Sequence, residues 1–174
     1  MSRIAGSSTE VAIRDLRRRH VPLLSTVAAI LLSLFPIVIL SPLLPNFGFL
    51  VLLTWRLLRP EIWTAPTALG FGLFADLVAG QPLGQSMLLW TLVFLALDYV
   101  DSRLGFRDYW MDWLIAAAAI VFHGFGVWYI ALLMGSDTDF SIMFPQIALS
   151  VLAFPVAARL IVGLDRWRLG GVAR

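Results

Sequence analysis

Two side chains stand where an apolar environment makes them costly, Asp76 and His123. Asp76 lies within an uncharged run, three to four residues from its end at Gly80. At the centre of a membrane helix a carboxylate costs roughly 2.5–3.5 kcal/mol. Gly72, Asp76 and Gly80 recur at four-residue intervals, and Ala65 and Ala68 continue nearly the same face. A face of small residues lets a second helix approach closely, and Asp76 would then hydrogen-bond across that seam. Three roles follow for it: a carboxylate that binds a partner, a contact for a ligand or ion, or a structural group. In the last role it closes the turn into Gln81-Pro82-Leu83-Gly84, with Pro82 in the first turn of the next helix. A leucine at position 76 leaves any hydrogen-bond donors across the seam unpaired but relieves the cost of burying an acid, so it is expected to raise the thermal stability of the isolated protein and to act mainly on function. His123 shares a face with Ala116, Ala119 and Gly126. It suits either a proton relay, because histidine titrates near neutrality, or a neutral hydrogen bond between packed helices. A relay needs further ionisable groups at similar depth, and Asp76 is the one candidate.

A third concentration of polar groups runs from Asp98 to Trp113, where Asp98, Asp101, Asp108 and Asp112 alternate with Arg103, Arg107 and aromatic residues. Such a stretch reads as solvated helix ends with an aromatic belt, or as a docking surface for a cytoplasmic partner. The motifs of known reaction machinery are missing: there is no H-E-x-x-H, G-x-S-x-G or phosphate-binding G-x-x-x-x-G-K-[ST]. With no cysteine there is no thiolate nucleophile, thiolate metal site or disulfide scaffold. The expectation is a protein with no catalytic residues, metal or cofactor.

The elements that must carry these residues are apolar helices. From Val21 to Trp55 no residue is charged. That length exceeds the roughly 20 residues of one bilayer crossing. Pro42, Pro45 and Asn46 break it, since the residue before a proline avoids the helical conformation. The expected spans are Val21–Leu40, Phe47–Leu58, Ile62–Gly80, Leu83–Leu97 (extendable to Val100), Trp113–Gly135 and Phe140–Gly163. Arginine placement supports this division. All 13 basic residues are arginine, and with six spans every one falls on the same side. Were 21–55 a single span, five would lie on one side and eight on the other. Basic residues in short loops stay cytoplasmic, so both termini are expected inside.

Composition agrees: 60% of the residues are hydrophobic and 14% charged, with mean hydropathy +0.87. A soluble domain is nearer a quarter charged, so a water-soluble monomer and a disordered chain are both excluded. No basic, aromatic-interleaved soluble surface exists to bind nucleic acid. Residues 1–20 form a basic cytoplasmic segment and 164–174 a basic tail around the 21–163 transmembrane domain. Glu10/Arg14 and Asp15/Arg19 are spaced for a short interfacial helix over 8–20. Its arginines suit anionic lipid headgroups. The apolar run is too long for a signal peptide of ~7–15 apolar residues.

From Trp55 onward the chain resembles a known family. Trp55-Arg56-Leu57-Leu58-Arg59-Pro60-Glu61 leads into GFGLFADLVAGQPLGQ, residues 70–85. This is similar to the Arg-x-x-Arg-Pro-like turn and the Gly-Leu-x-x-Asp-(x)3-Gly-x-x-Leu-Gly pattern of the rod shape-determining protein MreD family. Gly72, Leu73, Asp76, Gly80, Leu83 and Gly84 occupy its positions, and Asp165-Arg166-Trp167-Arg168-Leu169 resembles the close of alphaproteobacterial members. The resemblance implies an all-α, six-helix inner-membrane scaffold of the cell-elongation complex. It implies binding to MreC and work alongside MreB, RodA and its class B transpeptidase in lateral peptidoglycan synthesis. It also implies an arrangement similar to the substrate-binding component of energy-coupling-factor transporters. A vitamin-type transport subunit is therefore the alternative function. The residues expected to form the partner-facing or structural seam are Gly72, Asp76, Gly80, Pro82 and Gly84, with His123 as the intramembrane polar residue.

Overall fold

The computed structural model describes residues 8–35, 44–103 and 108–169, with side chains from His20 onward. Among the described residues there are six α-helices and no strand. They are α1 (Ser8–Leu31), α2 (Phe47–Leu58), α3 (Ala65–Ala79), α4 (Gln85–Arg103), α5 (Tyr109–Leu133) and α6 (Phe144–Leu169). The expected helix over 8–20 is continuous with the first apolar helix, with Pro22 inside it. α1 tightens into a single 3-10 turn at Leu32–Leu34 and ends at Phe35, whose ψ of 133° is extended. Phe35 precedes Pro36, which disfavours helix at that position. α1 therefore ends ahead of Pro36, and residues 36–43, with the remainder of the expected Val21–Leu40 span and most of the expected Ser41–Asn46 turn, lie outside the described residues. α4 reaches Arg103, α5 begins at Tyr109, and α6 runs through Gly163 to Leu169.

α2 is the axis of the bundle. Asn46 caps it, its side chain accepting from the Phe49 N–H at 3.0 Å. Twelve residues span only about 18 Å at 1.5 Å per residue, well under a bilayer core of ~30 Å. A helix this short is tolerable because its neighbours enclose it. Phe49, Leu52, Leu53 and Trp55 are buried, together with Trp90 and Phe94 of α4. α2 packs on α1 and α6, α5 packs on α6, and the most extensive pairing joins α3 to α4.

The interior is largely apolar but holds several polar groups, and the outer surface is apolar as well. Thr26, Thr54, Arg56, Asp76 and Ser86 are buried, whereas Leu77, Leu95, Leu152 and Leu160 are more than half exposed. Such a surface requires an apolar solvent. Tyr109–Leu133 and the stretch Phe140–Leu169 are each long and apolar enough to cross a membrane, and His20–Leu34, Phe47–Leu58 and Ala65–Ala79 are shorter apolar helices.

Candidate functional site

The α3–α4 hairpin gathers five of the residues singled out from the sequence. α3 starts at a capping box in which Thr64 and Thr67 exchange hydrogen bonds, and it ends at Gly80. Gly80 has φ +64°, and the Gln81 N–H returns to the Asp76 carbonyl at 3.1 Å. Gly84, with φ +96°, turns the chain into α4. Both positions hold the left-handed conformation that glycine adopts without strain. Pro82 lies in this turn rather than in the first turn of α4, because the helix begins only at Gln85. Its carbonyl accepts the Gln85 N–H at 3.0 Å.

Asp76 is fully buried, and its partners are backbone amides. Oδ1 accepts from Ser86 N–H at 2.8 Å, and Oδ2 accepts from Gly84 N–H at 2.9 Å and Met87 N–H at 3.4 Å. These are donors at the start of α4 that have no partner within their own helix. The carboxylate therefore caps the next helix across the turn, where the positive end of the helix dipole also favours an anion. One turn earlier, Gly72 lies against the α4 backbone. A Cβ placed there would fall 2.5 Å from the Met87 Cα and 2.6 Å from its nitrogen. The missing side chain at Gly72 sets the distance at which Asp76 reaches its three donors.

His123 belongs to a different seam. It is 8% exposed on α5 and stacks on Phe49 of α2 at 4.4 Å between ring centres. The Trp90 indole N–H donates to its Nε2 at 3.1 Å. A nitrogen that accepts this bond carries no proton. Among the described residues no direct hydrogen bond joins His123 to Asp76. Ala116 and Ala119 are buried on the same face of α5.

A cavity of about 70 Å³ opens beside His123 and is lined by Asn46, Gln81, Gln146 and Ser150 among others. Several of its polar groups are already engaged. Gln81 Oε1 accepts from Ser86 Oγ at 3.2 Å, and Gln146 Nε2 donates to the Leu44 carbonyl at 3.0 Å. The volume suits about two water molecules at ~30 Å³ each. Pockets for small organic ligands occupy ~300–1,000 Å³.

Sequence reasoning missed an ion-pair network at the arginine-bearing end. Arg56 is 2% exposed and pairs with Asp98 and Asp101 of α4, the latter at 2.8 Å. Arg59 pairs with Asp165 of α6 at 2.9 Å, and Arg168 holds the other oxygen of Asp165 at 2.6 Å. The Arg168 guanidinium lies over Trp55, 5.2 Å from the ring centre. These acids and arginines do more than set orientation: they tie both flanks to the central helix. The available signal was the three-residue spacing of Asp98 and Asp101, which places both carboxylates on one face of α4. Asp165→Asn is expected to destabilise the protein by on the order of 3 kcal/mol, since removing one partner strands a buried charge. Thermal unfolding in detergent measures it, and an unchanged midpoint contradicts that role for the network.

A family model described as rod shape-determining protein MreD matches residues 17–162. No curated protein and no solved structure matches the chain.

Proposed function

The chain belongs to the MreD family of rod shape-determining membrane proteins, and from that premise we propose that it is a non-enzymatic scaffold subunit of the cell-elongation complex. In this reading it is a multi-pass inner-membrane protein. It crosses the membrane six times with both termini in the cytoplasm. It binds MreC and through it supports MreB, RodA and the class B transpeptidase in lateral wall synthesis. One observation carries the reading. The buried polar groups at the candidate site, Asp76 and His123, are bonded within the protein, while the outer surface is apolar helix. A molecule built this way offers surface to membrane partners and keeps its polar groups for its own assembly. A vitamin-type transport role lacks support, because the polar cavity is several-fold smaller than a small-molecule site.

The topology has a direct test. Cysteine introduced at Ser41 or Thr138 is expected to react with an impermeant maleimide from outside, and cysteine at Ser102 is expected not to react. The reverse pattern contradicts the six-span arrangement. For function, rod shape in cells depleted of the native protein is expected to return with the wild-type chain. Spherical cells despite normal expression contradict the scaffold role.

A further inference from the structure

The cavity beside His123 lies at the end of the bundle away from the arginines, where the Asn46 cap of α2 meets Gln81 of the α3–α4 turn and Gln146 of α6. His123 uses only one of its ring nitrogens. Nε2 accepts the Trp90 indole N–H, so the neutral ring carries its proton on Nδ1. That Nδ1–H has no hydrogen-bond partner among the described residues, although the side chain is buried. It differs in one respect from the Trp63 indole nitrogen, which is also unbonded: Trp63 Nε1 is sealed from solvent, whereas His123 Nδ1 keeps accessible surface. The other polar residues around the cavity show the same surplus. Asn46 accepts through Oδ1 and Gln81 through Oε1, which leaves their amide N–H groups over. Gln146 donates through Nε2 and Ser150 through its hydroxyl, which leaves Gln146 Oε1 and the Ser150 Oγ lone pairs as acceptors. Unused donors and unused acceptors thus surround one space of about 70 Å³.

We propose that this cavity is a water-binding site, in which water accepts the His123 Nδ1–H and donates in turn to Gln146 and Ser150 of α6. Buried polar groups are almost always bonded, and a buried water typically makes about three hydrogen bonds. The mixture of donors and acceptors selects the ligand class. An anion would face the Gln146 and Ser150 oxygens, a cation would face the three N–H donors, and no charged side chain lines the space to favour either. Water donates and accepts, and it fits the volume. The site also joins elements that are otherwise unconnected here: His123 bonds to α4 and stacks on α2, and no direct hydrogen bond links it to α6 among the described residues. Asp76 contrasts with it, because backbone amides fill both of its carboxylate oxygens. Of the two buried residues singled out from the sequence, His123 is the one in exchange with water. The inference does not rest on MreC or on the scaffold reading.

The chain has two histidines, His20 and His123, and His20 is exposed, so His20→Gln leaves a single ring to observe. The test is magic-angle-spinning NMR of this full-length variant in hydrated lipid vesicles, isotope-labelled at the histidine nitrogens, with magnetisation transferred from water protons. The His123 ring is expected to show a protonated Nδ1, an unprotonated Nε2 and direct transfer from water to Nδ1–H. Adding Ser150→Leu places an apolar side chain where water would sit, and it is expected to abolish the transfer while the Trp90 bond keeps Nε2 unprotonated. Adding Ser150→Ala instead removes the hydroxyl but leaves the room, and it is expected to retain the transfer. A protonated Nε2, or no transfer from water to Nδ1–H in the His20→Gln protein, overturns the proposal without reference to either Ser150 variant. Transfer undiminished by Ser150→Leu in a folded protein overturns it as well.

Discussion

Gly72→Ala is expected to destabilise the protein by more than an ordinary core substitution, although it adds a single methyl group. The new Cβ would lie 2.5–2.7 Å from three backbone atoms of Ser86 and Met87. A flexible side chain could move aside; a helix backbone cannot move without parting the whole α3–α4 hairpin. Overpacking a core costs typically ~1–3 kcal/mol, and here the same shift lengthens the hydrogen bonds from Asp76 to α4. Close approach is also a main source of helix association in lipid. Gly70→Ala is the internal control, since Gly70 lies two residues earlier on α3 and faces open space. There, alanine is expected to be neutral or stabilising by up to ~1 kcal/mol through helix propensity. Thermal unfolding of both variants in one detergent checks this. Equal midpoints for the two contradict a backbone-to-backbone seam.

Asp76→Leu is the second large effect, and the structure reverses the direction expected from sequence. Relief of a buried acid would spare stability if the carboxylate stood alone. It accepts three backbone N–H groups instead. Leucine leaves these donors without an acceptor at the buried start of α4. An abandoned buried donor costs ~1–3 kcal/mol, so a loss of several kcal/mol is expected, with fraying of α4 from its first turn. Asp76→Asn keeps one carbonyl oxygen and is expected to fall between leucine and wild type. Hydrogen exchange at Gly84, Ser86 and Met87 reads this directly. Protection equal to wild type in Asp76→Leu contradicts the capping role.

These two cases also mark what the sequence could convey. Spacing placed Gly72, Asp76 and Gly80 on one face, because helical register is written in the order of residues. The partners of Asp76 left no trace, since backbone amides carry no residue identity. Arg56 and Arg59 could be read as orientation signals, but Asp98 lies 42 residues from Arg56 and Asp165 lies 106 from Arg59. Only the fold brings them together. The extent of α1 was obscured by the change from arginine-rich to apolar sequence at His20. That change marks a difference of solvent and leaves the backbone helix uninterrupted. Pro82 was placed one step too deep, because proline favours both a first helical turn and the turn before it.

The central claim is that this membrane protein acts by holding a partner rather than by chemistry of its own. Co-purification tests it most directly. The tagged chain is co-expressed with MreC, solubilised in mild detergent and eluted. MreC is predicted to elute in fixed ratio with wild type and with Gly70→Ala, and in reduced ratio with Gly72→Ala. A folded, monodisperse chain that elutes without MreC would contradict the account.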